Sequence, residues 1–462
     1  MERMKNMNYT DKIPHRFFWT WDHSTNWCLH ALGAQNCGVA NVYAKYPEMF
    51  ERDYMRLIDY CKEHKFDAVG IVGLLRDAHY GVEGARRLCS YAEKQGVKVY
   101  MIVGTYAYGG VYYEGNNKYS MDKFFAENPE TVGVDSEGNP LYLQFKGKHG
   151  YKIQAQGCPS NEALHEYVLE SFDWLFKEIP ELGGVQMESG DSGVCQCPKC
   201  VARRGEESEY MSVADMAKIY PAVTDVILNR RKDALIICET YHHFKDEACK
   251  LFESDPLTDD LKKLYSLPQN VYWQWKCDKV LEANSWEKTD KMIKPMQRFN
   301  HVMRSHAGTQ WYGGRACFDV DKIRRQCMLS HCAGYDAVSM FGENASFHTN
   351  AEFNYLAMEY FADHPYATND AFIKDVMSPL LGGEEQAKFY FDAARLDKDT
   401  DKIPEAALTI NKITSGITDY ETLRRWQYLA SFLNGYYWEA NQKFVGSEWF
   451  DSDGVGDNIE RK

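Results

Sequence analysis

The sequence has no uninterrupted apolar stretch approaching the length of a membrane span. Met1 to Thr10 is polar, without the apolar segment of a secretory signal. Positive charge is also short. Lys and Arg number 53 against 67 acidic residues, a formal charge of -14, so a nucleic-acid or anionic-membrane partner, which needs a basic face, is not expected. No Gly-x-Gly-x-x-Gly follows the first apolar run, which argues against a doubly wound dinucleotide-binding sheet. Fourteen cysteines without a signal segment point to reduced thiols in a cytoplasm, or to a secreted protein if a leader has been removed.

What the sequence does have is length and aromatic rings. At 462 residues, 44% of them hydrophobic, it can bury a large core. Eleven Trp and 31 Tyr are high counts; sugar sites use such faces as platforms, and cores use them as filling, so they tilt the reading towards carbohydrate without deciding it. The opening run Arg16-Phe17-Phe18-Trp19-Thr20-Trp21-Asp22-His23-Ser24-Thr25 reads as a buried strand that ends abruptly in an acid and an imidazole.

Seven further apolar runs follow: 68–75, 97–103, 184–188, 234–239, 271–275, 307–312 and 337–341. Helical periodicity fills the intervals at 47–63, 82–95, 161–178, 212–231, 288–303, 319–333 and 351–362. Eight strands alternating with helices predict an α/β fold, a (β/α)8 TIM barrel over residues 1–365. The alternation pauses at 104–160, an insertion rich in Gly, Tyr and Asn. Beyond Pro365 helical periodicity alone remains, which predicts a C-terminal helical region over 366–462.

A barrel of this kind works at the carboxyl ends of its strands. Those ends carry Asp22 and His23, Arg76 and Asp77, Glu188, Glu239, Gln274, Trp311, and Glu343 with Asn344; Tyr106 opens the insertion and Arg315 follows the seventh strand. Carboxylates and tryptophans concentrated there describe a polar, aromatic bowl suited to carbohydrate. Glycosidic bonds break between a proton donor and a second group that attacks or activates water. Asp22 is suited to the second role; His149, the insertion's one histidine, has the right chemistry for the first, although beside Lys146 and Lys148 its spacing alone reads as a solvated loop residue.

The segments 16–25, Gly73-Leu74-Leu75-Arg76-Asp77 and Tyr108-Gly109-Gly110-Val111-Tyr112-Tyr113-Glu114-Gly115 together resemble glycoside hydrolase family 156, inverting exo-sialidases on a barrel. Asn354 to Pro365 also resembles barrel glycosidases of the α-glucuronidase type. The first resemblance implies Asp22 as the base, His149 as the acid and Asn344 as a ligand of the sugar, with no cofactor. One departure is plain: residues 104–160 contain no Arg to grip a sialic acid carboxylate, so Arg76, Arg315, Lys146, Lys148 or Lys152 would have to serve. The Ser-x-Asp-x-Gly-x-Thr-Trp repeats of propeller sialidases are missing.

The expectation is therefore a glycosidase that releases a terminal acidic sugar, sialic acid first, with inversion. The alternatives are a carboxylate pair drawn from Glu188, Glu239 and Glu343 acting on a uronic acid or neutral sugar, and a sugar-binding barrel without turnover. A sialoglycan or oligosaccharide is the expected partner, and a homodimer is compatible. Cys195-x-Cys197-x-x-Cys200 reads as three thiols in a tight turn without metal. Zinc is the alternative, with Cys158 or a histidine as fourth ligand.

Overall fold

The computed structural model describes residues 12–22, 25–28, 46–147, 150–188, 194–205, 211–239, 258–276, 299–309, 317–332 and 334–441. Ten strands are described: β1 (His15–Trp21), β2 (Ala68–Val72), β3 (Lys98–Gly104), β4 (Tyr142–Gly147), β5 (Gly150–Ala155), β6 (Gly184–Glu188), β7 (Leu235–Glu239), β8 (Tyr272–Lys276), β9 (Asn300–Arg304) and β10 (Ala337–Phe341). Eight of them close a barrel in the order β1-β10-β9-β8-β7-β6-β3-β2, all pairs parallel, and β4–β5 form a separate antiparallel hairpin within the 104–160 insertion.

These strands are short, apolar and buried on both faces, because helices cover the outside and side chains fill the inside. Inside lie Phe17, Trp19, Tyr100, Ile102, Ile237, Tyr272, Val302 and Phe341. Gly70 makes room for one of these rings. A Cβ there would come 2.4 Å from Cζ of Tyr100, whose hydroxyl donates to the Phe18 carbonyl at 3.2 Å.

The outer layer begins with the helix Pro47–Glu63, where Pro47 supplies a preset φ and no amide in the first turn. The helix Val213–Arg230 starts with a reciprocal capping box between Ser212 and Asp215. The helix Glu162–Glu178 is capped by the Asn161 side chain, which accepts from the Leu164 amide at 3.1 Å.

Two sequence readings change. The seventh barrel strand is Asn300–Arg304, where the reading put the end of a helix, and the apolar run at 307–312 lies beyond it. His301, Val302 and Met303 make only a short apolar core, so the longer run downstream looked the better strand. The insertion is no plain loop either: it holds the helix Met121–Glu127 as well as the β4–β5 hairpin.

The helices Glu384–Ala393, Ile403–Thr414 and Tyr420–Asn441 form the C-terminal region, with Tyr390 and Trp426 in the same apolar cluster as the barrel's outer helices. Glu352, on the helix after β10, ties this region down through Arg425 (Nε–Oε2 3.0 Å) and Arg424 (Nη2–Oε2 3.2 Å). No described helix is long and apolar enough to cross a membrane.

Candidate active site

Side chains alternate across each strand, so the last inward residue of a strand faces the barrel mouth. On β6 and β7 these residues are Glu188 and Glu239, and on β9 it is Arg304. The guanidinium joins the two acids: its Nη1 is 3.1 Å from Oε1 of Glu239 and 3.4 Å from Oε1 of Glu188. Gln186 donates to Glu188 at 2.6 Å and Gln274 to Glu239 at 3.4 Å. Arg304 also lies 4.0 Å from the Trp19 ring, a cation–π contact that fixes the plane of its fork. The two acids differ in exposure, Glu188 at 16% and Glu239 at 1%, so only Glu188 presents a carboxylate to solvent.

A second cluster sits where β1 and β2 end. Asp22 is fully buried, its Oδ2 2.5 Å from Nε of Arg76 and 3.3 Å from Nε2 of His79, its Oδ1 3.3 Å from Nη2 of Arg76. Gly73 adopts φ +81°, and a Cβ there would lie 2.8 Å from the Asp22 carboxyl carbon, so the backbone closes directly on the acid. Burial works against the Arg76 charge, but Asp22 and Glu114 outweigh it and hold the guanidinium's pKa above its ordinary value. Arg76 also stacks on Tyr113 at 4.3 Å and pairs with Glu114. His79 is itself clamped, stacked at 3.7 Å on Phe50.

The strand-two pair thus holds the insertion in place. Asp77 accepts from the Tyr112 hydroxyl at 2.5 Å and the Asn116 amide at 2.9 Å, while Arg76 takes Glu114. Tyr113 packs among the rings inside the barrel, and Tyr108 and Trp21 pack against the same cluster. The insertion therefore contributes its aromatics to the mouth.

The remaining expected site residues divide. Glu343 is fully buried and accepts from the Trp21 amide at 2.9 Å, stitching the loop after β10 to the end of β1. Asn344 bridges Asn26, and its carbonyl accepts from the Tyr355 hydroxyl at 2.7 Å. Tyr106 is turned outward, its hydroxyl 3.3 Å from Nδ1 of His165 on the helix Glu162–Glu178. His23, His149, Trp311 and Arg315 lie outside the described residues.

Sequence reasoning missed Arg304, because the strand that carries it was misplaced, and His79. A His two residues after Arg76-Asp77 was the available signal for the latter. The cysteine motif gains the ligand its spacing did not supply, since Cys158 joins Cys195, Cys197 and Cys200 in one cluster.

No protein-family profile matches the chain, and no curated protein matches it. Among solved structures it is similar to a GH138 enzyme targeting pectin rhamnogalacturonan II, at TM-score 0.54 and 11% identity over 100% of this chain and 62% of that one. It is also similar to a Clostridium perfringens GH89 enzyme in complex with GlcNAc-α-1,4-galactose, at TM-score 0.51 and 9% identity over 96% of this chain and 52% of that one. The chain therefore spans less than two thirds of either protein, and at such identities the likeness establishes the shared fold.

Proposed function

We propose that the chain is a glycoside hydrolase whose sugar sits at the barrel mouth against the aromatic wall of Trp21 and Tyr108. The observation that carries this reading is the Glu188–Arg304–Glu239 cluster: two carboxylates from adjacent strands share one guanidinium at the end of the barrel where such folds place their chemistry. Glu188, the exposed member, is the proton donor to the leaving oxygen. Glu239, buried beneath it, faces the sugar ring as a fixed carboxylate that stabilises positive charge or attacks. Arg304 balances the pair and sets their separation. Similarity to an enzyme targeting pectin rhamnogalacturonan II and to one in complex with its substrate GlcNAc-α-1,4-galactose supports the reading. The substrate class on this reading is a neutral sugar or a uronic acid.

A second reading keeps Asp22 as the base that activates water and His149 as the acid, acting with inversion on a terminal acidic sugar, sialic acid first. It is favoured by the construction around Asp22, where Arg76, His79 and Gly73 converge on one carboxylate. Asp22 is as enclosed as Glu239, so burial does not choose between these two carboxylates; the solvent-facing Glu188 is what favours the first reading.

One experiment separates them. The wild type, Glu188→Gln, Glu239→Gln and Asp22→Asn are assayed on sialyllactose, an aryl sialoside, aryl glucuronides and neutral aryl glycosides, with the first anomer read by proton NMR. The carboxylate-pair reading expects about a 10²-fold or larger loss in Glu188→Gln on substrates with poor leaving groups. Turnover confined to sialosides, with wild-type rates in Glu188→Gln, gives the site to Asp22. No turnover on any substrate by folded protein removes the hydrolase reading.

A further inference from the structure

Four thiols from three segments meet beside the loop that follows Glu188. Cys158 closes the insertion, Cys195 and Cys197 lie after β6, and Cys200 is in the short helix Pro198–Arg204. Their sulfurs all lie within 4.8 Å of one another, with Cys158 Sγ 3.7 Å from those of both Cys197 and Cys200. None is in a disulfide, whose sulfurs would stand about 2.0 Å apart. A zinc ion with four thiolates at about 2.3 Å spaces them about 3.8 Å apart, close to the separation found.

The surroundings are those of thiolates. Cys195 Sγ accepts from two backbone amides, Val134 and Cys197, each at 3.4 Å, so the chain wraps round the sulfur before any metal is considered. Cys200 Sγ is 3.1 Å from Ser160 Oγ and 3.7 Å from Nη2 of Arg203, whose charge offsets a thiolate. Gly133 presses against the group, a Cβ there coming 2.9 Å from Cβ of Cys195, so the cluster is packed from the insertion side as well.

We propose that Cys158, Cys195, Cys197 and Cys200 bind one zinc ion in a closed tetrathiolate site. All four positions are taken by protein, so the ion does no chemistry on substrate. Its role is to pin the end of the insertion to the loop after β6, and the assignment does not depend on what the barrel mouth catalyses.

The test uses the full-length, tag-free protein. Elemental analysis should find one zinc per chain, released in step with a mercurial that titrates thiols, and Cys197→Ser and Cys200→Ser should lose it. Because a serine variant can misfold, the wild type is also exchanged with cobalt, which should give the intense visible bands of a tetrahedral thiolate site. A strong chelator should lower the melting temperature of the wild type. Wild-type protein with no zinc and no cobalt bands, with its four thiols lost to disulfides, or with an equal load of iron instead, overturns the assignment.

Discussion

Arg304 on β9 and Glu239 on β7 meet at 3.1 Å across a barrel mouth where both side chains are almost wholly removed from solvent. Neither charge is tolerable there alone. Arg304→Met should leave two neighbouring acids without a cation, at a cost of about 3–5 kcal/mol in denaturant unfolding. Adding Glu239→Gln to that variant should recover part of the loss, since the charge left behind is what costs. A single variant as stable as the wild type would mean that the acids keep their charge by other means.

Gly73 predicts how tightly Asp22 is enclosed. Gly73→Ala places a side chain on a φ of +81° and 2.8 Å from the Asp22 carboxyl carbon. The expected cost is about 1–3 kcal/mol of stability, together with a weakened Asp22–Arg76 pair. Equilibrium unfolding measures the first. An unchanged midpoint would show that the turn yields freely.

His348 gives the fold an acid-sensitive joint. Burial lowers its pKa to about 4, and it is hydrogen-bonded at 2.6 Å to the hydroxyl of Tyr428 on the last helix. The unfolded chain takes up a proton below about 6.5, the folded one only near 4, so stability falls as pH drops through that window, by at most about 3 kcal/mol. Melting temperatures should decline from pH 6.5 towards 4, and His348→Gln should flatten that limb. An identical pH profile in the variant would exclude this residue as the source.

Glu352 is the anchor of the C-terminal helices, meeting Arg425 Nε at 3.0 Å and Arg424 Nη2 at 3.2 Å. Glu352→Gln should cost about 2–4 kcal/mol, because Arg425 loses its charged partner in a largely buried position and Arg424 keeps only Glu421. Limited proteolysis should then cut within 366–441 before it cuts the barrel. Equal cleavage rates in variant and wild type would refute the anchoring role.

Much of the architecture was legible because a parallel barrel strand is an uninterrupted apolar run. The runs at 184–188 and 337–341 coincide with β6 and β10, and the helix from Pro47 has the bounds its proline and periodicity suggested. The β9 strand escaped because its apolar core is so short, and Arg304 escaped with it. Pairwise placement was the harder part. Sequence put Arg76, Asp77 and Tyr106 among the sugar contacts; within the protein their partners are Asp22 and Glu114, Tyr112 and Asn116, and His165. An Arg beside an acid has the same composition whether it grips a ligand or a loop, and only the neighbours decide. Glu188, Glu239 and Gln274 do come together, because their place at strand ends faces them towards one axis.

The insertion is fastened at intervals along its length: Glu114, Tyr112 and Asn116 at the Arg76–Asp77 turn, Tyr119 and Phe124 against Tyr167, and Val134 and Cys158 at the thiol cluster. A long excursion fastened in this way behaves as shorter spans in series. Each span loses less chain entropy on closing than the whole would. The exposed turn at 136–140 can accept changed length or sequence while the fasteners remain, whereas a deletion that removes the Arg76–Asp77 contacts should unseat the rings of Tyr108 and Tyr113 from the barrel interior. A graft into the insertion belongs in that turn, with the attachment points on either side already built.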